Sequence, residues 1–165
     1  TQAFFPRLSE LAARGDDAQL VRNYHLGAQL VTAFAAPAAL MLLFYGRDLL
    51  FFWAGDRMLA DQVAPILALL AIGTLLNCMM HMPFITQFAY GRLDLTVKTN
   101  LAAVCVLAPA MYLASLHFGA MGAAWVWVLI NVGYILGGMP FVYRHLLGNE
   151  RWKWYRDDVL LPLAG

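Results

Sequence analysis

The chain has 165 residues, 62% of them apolar or aromatic and 13% charged, with a mean hydropathy of +0.64. Soluble domains carry roughly 25% charged residues, and half that amount does not cover the surface of an 18.3 kDa globule, which argues against a water-soluble protein. A net charge of +1 argues against a nucleic-acid partner. The chain reads as a membrane protein and as a piece of a longer one, without a cleavable leader at its start.

In chain order, Pro6 suits a helix first turn, Leu8, Leu11 and Ala12 share one face, and Gly15 is a natural stop. This short helix is expected along the membrane surface, with Phe4 and Phe5 toward lipid. Asp16, followed three residues on by Gln19, resembles a capping box that starts the next helix and feeds straight into the first span.

Three stretches lack Asp, Glu, Lys and Arg: Asn23 to Gly46 (24 residues), Gln62 to Gly91 (30 residues) and Thr99 to Tyr143 (45 residues). A helix needs about 20 apolar residues to cross a hydrocarbon core of roughly 30 Å. The first two stretches each hold one span. The third holds two, with a glycine turn at His117-Phe118-Gly119-Ala120-Met121-Gly122. The sequence therefore predicts an all-α integral membrane protein with four proline-containing spans, at about 23–46, 62–90, 97–117 and 121–143. An aromatic and basic loop follows over 144–158, and 159–165 opens a fifth span. Nine Lys and Arg fall on the side that holds both ends and two on the other, so both ends are expected to be cytoplasmic.

Pro37, Pro65, Pro83, Pro109 and Pro140 lie within the expected spans. A helix proline removes a hydrogen bond and kinks the backbone. Pro37, Pro83, Pro109 and Pro140 are candidate hinges for a rocking transporter, although proline is in any case common in membrane helices.

In span two, Thr74, Asn77, His81, Phe84 and Phe88 form one helical stripe. An ionisable group in a span marks a functional site by default, so His81 and Asn77 are candidates to line a substrate cavity. Interhelical hydrogen bonding, and for His81 a proton site, are the alternatives. In span one, His25, Gln29, Thr32 and Ala36 make a related stripe that either lines the same cavity or packs. Gly133 and Gly137 form a GxxxG pair suited to close helix approach, and Asn131 needs a partner from another helix. Cys78 and Cys105 have neither disulfide nor zinc spacing. No phosphate loop, catalytic triad or carboxylate cluster is present, so neither an enzyme nor a cofactor or metal is expected.

Several segments resemble the multidrug/oligosaccharidyl-lipid/polysaccharide exporter superfamily. Phe4-Phe5-Pro6-Arg7-Leu8-Ser9-Glu10-Leu11-Ala12-Ala13-Arg14-Gly15-Asp16 is similar to its P-x-L-S-x-x-x-x-x-G-D cytoplasmic helix. Pro37, then Ala89-Tyr90-Gly91-Arg92 with Asn100, then the outer turn Phe118-Gly119-Ala120-Met121-Gly122-Ala123-Ala124 follow in the same order. The ending Arg151-Trp152-Lys153-Trp154-Tyr155-Arg156-Asp157-Asp158-Val159-Leu160-Leu161-Pro162 resembles the late loop of Wzx-type polysaccharide flippases.

The resemblance implies a two-lobe transporter of which this chain is most of the second six-helix lobe. Its substrate would be an undecaprenyl-diphosphate-linked oligosaccharide, moved across the bacterial inner membrane by alternating access. Partners would be that substrate, membrane lipids, the N-terminal lobe and a polysaccharide polymerase. Arg92, at the cytoplasmic mouth, is the candidate partner of the diphosphate. A drug/cation antiporter or lipid II flippase of the same superfamily, and a membrane-embedded enzyme of polysaccharide assembly, are the rival readings.

Overall fold

The computed structural model describes residues 4–91 and 93–138, and they are overwhelmingly helical. The order is α1 (Phe4–Arg14), α2 (Asp17–Ala54), α3 (Arg57–Met79), α4 (His81–Ala89), α5 (Leu93–Gly133) and a π-helical turn at Tyr134–Gly138. Three helical segments are long and apolar enough to cross a membrane, at Asp17–Ala54, Arg57–Ala89 and Asn100–Gly137. The exterior carries the largest apolar side chains, with Phe34, Phe44, Phe52 and Trp53 all more than three-quarters exposed. That arrangement suits hydrocarbon as solvent and not water. The chain is thus a multi-pass membrane protein.

Local chemistry sets the helix ends. Gly15 takes a left-handed φ of +69°, and the Asp16 side chain then accepts the Gln19 N–H at 3.1 Å, so α2 starts where the capping pattern places it. Gly55, at φ +71°, closes α2, and Asp56 caps α3 by accepting from Met58 and Leu59. α2 therefore outruns the 23–46 span at both ends. Arg47 and Asp61 form an ion pair that ties the end of α2 to the start of α3.

α2 and α3 pack along small residues, including Ala36, Ala39, Gly46, Ala60 and Ala71, which let backbones approach where apolar burial offers no advantage over lipid. At Gly73 the approach is closer still, because an added Cβ would stand 2.4 Å from the Trp127 Cδ1 on α5. Gly133 and Gly137 behave differently. A Cβ at either would meet nothing within 4 Å, so among the described residues the GxxxG pair makes no close helix contact.

α2, α3 and α5 continue through Pro37, Pro65 and Pro109. The second span, Arg57–Ala89, carries a one-residue interruption at Met80, whose φ/ψ of −76°/−9° separates α3 from α4. Pro83 explains the position, because its ring clashes with the carbonyl four residues back, that of Met79, the last residue of α3. Pro140 lies outside the described residues, as do 144–158 and 159–165.

α5 is two arms. Gly119 sits at φ +61°, ψ −150°, a region open essentially to glycine alone. The chain reverses there, since the Tyr134 hydroxyl donates to Asn100 Oδ1 at 3.3 Å. A straight helix would hold those residues about 51 Å apart. The turn expected at 117–122 is present, and Gly122 presses so closely on the Ala114 carbonyl that a Cβ would sit 2.4 Å from it.

α1 does not lie free. Leu8 and Leu11 are enclosed in a cluster with Leu20, Tyr24, Met79, Met80, Met82 and Ile85, joining α1 to α2 and to the α3–α4 break. Phe5 stays partly exposed, in keeping with its expected outward face, whereas the apolar stripe of α1 is occupied by protein. The Tyr90 hydroxyl adds a hydrogen bond to Asp17 at 2.9 Å, closing α4 onto the start of α2.

Candidate functional site

The span-two stripe straddles the break. Thr74 and Asn77 are on the last turns of α3, His81 is the first residue of α4, and all three are exposed. Phe84 is half-buried, its ring edge-on to Tyr134 with centroids 6.2 Å apart, and Phe88 is 40% exposed. The stripe expected from spacing therefore survives the break, and its polar members look out of the packed core.

Asn77 has a second engagement. Its amide donates to Asn131 Oδ1 at 3.0 Å, and the Asn131 amide donates on to the Trp127 carbonyl at 2.7 Å. Asn131 is buried, so it has found the interhelical partner its position demanded. Asn77 is thus a helix–helix tie, the second of the alternatives left open by the sequence, on a residue that is nonetheless exposed.

The span-one stripe divides. Thr32 is buried, its hydroxyl donating to the Ala28 carbonyl at 3.0 Å, and Ala36 is buried beside it, so neither lines open space. Gln29 is exposed and lines a recess of about 420 Å³ with Arg22, Asn23, His25 and Leu26. Asn77 and His81 do not contribute to that recess, so the two stripes do not share it. Arg92 falls outside the described residues.

Two features escaped sequence reasoning. Gln87 and Thr86 are buried on α4, with the Thr86 hydroxyl donating to the Met82 carbonyl at 2.9 Å. The Tyr90–Asp17 bond joins residues 73 apart, which no local pattern announces. Among the described residues no group of His, Cys, Asp and Glu could hold a metal ion.

The chain is 24% identical over 150 residues, 90% of its length, to a Klebsiella pneumoniae protein described as an uncharacterized membrane protein in the cps region. It is 27% identical over 126 residues, 76% of its length, to a Shigella flexneri protein given the provisional name of O-antigen transporter. The chain spans less than a third of each relative, 30% and 29% respectively. No family model and no solved structure matches it. The chain is thus similar to two membrane-associated proteins, one of them named for O-antigen transport.

Proposed function

We propose that the chain is part of a flippase that carries a polyprenyl-diphosphate-linked oligosaccharide across the bacterial inner membrane for surface polysaccharide assembly. The observation that carries this reading is the outward-facing polar stripe Thr74, Asn77 and His81, set at a helix break inside an apolar span. Polar groups at such breaks can line an aqueous path, because irregular backbone is tolerated at membrane depth only where protein or water satisfies it. The Shigella relative's name agrees with a transport role.

In this reading α5 contributes two spans joined at Gly119, both ends are cytoplasmic, and the chain is most of the second lobe. His81, Asn77, Phe84, Phe88 and Gln29 meet the sugar. Arg92 meets the diphosphate. Pro83, whose break already exists, and Pro37, Pro109 and Pro140 serve as flexing points during alternating access. Thr32 drops out as a contact because it is buried.

Deleting the full-length gene tests the reading. Lipid-linked repeat units should accumulate and surface polymer should be lost, with both restored by the wild-type gene. Loss of polymer without accumulation of the lipid-linked unit would point to assembly chemistry upstream and contradict a flippase.

A further inference from the structure

We infer that Asn131 is a positioning residue: it holds the Asn77 amide in one orientation and so sets which part of a ligand position 77 reads, an assignment that rests on the flippase reading for the ligand itself. One group in this chain of hydrogen bonds has a polarity that cannot change. The Trp127 carbonyl only accepts, and the Asn131 side chain reaches it at 2.7 Å, so that end of Asn131 is its amide NH2. The other end, Oδ1, therefore faces Asn77, and the group 3.0 Å from it is the Asn77 NH2. Reversing either amide would set oxygen against oxygen. Asn131 is 1% exposed, so the lost bond would leave a buried polar group without a partner.

The polarity of the α5 backbone is thus passed through Asn131 to a residue of α3. A side-chain amide offers two carbonyl lone pairs and two N–H groups. The tie to Asn131 takes one N–H of Asn77 and leaves both lone pairs and the other N–H on an exposed residue. Phosphate oxygens only accept, so a diphosphate can use the N–H alone. Sugar hydroxyls both donate and accept, so neighbouring hydroxyls can use the lone pairs as well. Position 77 is matched to the oligosaccharide, and the diphosphate fits it poorly.

The tie also prepares Asn77 for binding. An exposed asparagine without such a partner samples several rotamers and both amide orientations, and a ligand has to select one of them. Asn77 is already held at one end, so less freedom is lost when its carbonyl accepts a hydroxyl. Asn131 itself is buried and reaches a ligand only through Asn77.

The test measures transport of the lipid-linked oligosaccharide, extracted from cells that make it, by full-length protein in proteoliposomes. Wild type is compared with Asn131→Leu, Asn77→Ala, the double variant and Asn131→Asp. Asn131→Leu should raise the half-saturating concentration about fivefold, as for one lost hydrogen bond, with the maximal rate within about twofold of wild type. Asn77→Ala should behave alike, and the double variant should be no worse than Asn77→Ala, because Asn131 acts through Asn77. Asn131→Asp, whose neutral carboxyl can donate to the Trp127 carbonyl and accept from Asn77, should keep wild-type half-saturation. Polyprenyl diphosphate without sugar should compete equally well in wild type and Asn131→Leu. Effects that add in the double variant, or a lower maximal rate at unchanged half-saturation, would show a merely structural role and overturn the inference. Competition by the bare diphosphate that weakens in Asn131→Leu would overturn the assignment to the sugar. Saturable wild-type transport unmoved by Asn131→Leu would contradict this inference alone, whereas wild type that carries no lipid-linked oligosaccharide would contradict the flippase reading and the sugar at position 77 with it.

Discussion

Leu8→Ala in the full-length protein is expected to lower stability by about 2–5 kcal/mol and to release α1 from the body of the molecule. Leu8 has no exposed surface, and it belongs to a buried cluster whose other members, Leu11, Leu20, Met79, Met80, Met82 and Ile85 among them, come from α1, α2, α3, α4 and the α3–α4 break. Truncation removes packing from this cluster and leaves a cavity at its centre. Met79, Met80 and Met82 flank the break before Pro83, so the cluster that holds α1 also joins the end of α3 to the start of α4. Hydrogen exchange over residues 4–14 reports the result. Faster exchange there, with α2 and α5 unchanged, is the expected outcome. Unchanged protection would mean that α1 is held by something other than this cluster.

The second large effect is expected at Gly73. Gly73→Ala and Gly133→Ala are the same chemical change inside helices, and each gains about 1 kcal/mol of helix propensity. At Gly133 the new methyl meets open space, so that gain should survive. At Gly73 it would stand 2.4 Å from Trp127 Cδ1 and 2.8 Å from Nε1, so the indole has to move. Overpacking of this kind costs about 1–3 kcal/mol. Thermal unfolding in detergent should show Gly73→Ala below wild type and Gly133→Ala at or above it. Equal shifts in the two variants would remove the close approach between α3 and α5.

These residues show what the sequence could and could not disclose. Gly15, Asp16 and Gly119 act through local backbone chemistry, so the helix start at Asp17 and the reversal in α5 were legible from composition and spacing alone. Leu8 and Leu11 were legible as an apolar face, but periodicity describes the face without naming what covers it, and lipid and protein satisfy it equally. Among the prolines, Pro83 sits in the first turn of α4 just after the break, while Pro37 and Pro109 are carried within a helix.

The candidate site follows the same division. The stripe through Asn77 and His81 was readable because its spacing keeps one helical period across the α3–α4 break, and Asn131 was readable as a residue in need of a partner. That Asn77 supplies it depends on two helices meeting 54 residues apart in the chain. Thr32 and Gln29 share a stripe yet separate, one buried and one exposed, which spacing alone does not announce. Gly133 and Gly137 have the spacing of a packing motif and no neighbour within 4 Å.

The central claim is that the Thr74–Asn77–His81 stripe borders a water-filled path, whereas exposed apolar residues of the same helix border lipid. Single cysteines at Asn77 and His81, introduced into full-length protein with Cys78 and Cys105 replaced, can be compared in native membranes with a cysteine at Leu70, which is 41% exposed. A small membrane-impermeant thiol reagent should label positions 77 and 81 rapidly, lipid-linked oligosaccharide should slow that labelling, and position 70 should stay unreactive. Labelling at 77 and 81 as slow as at 70 would contradict the account.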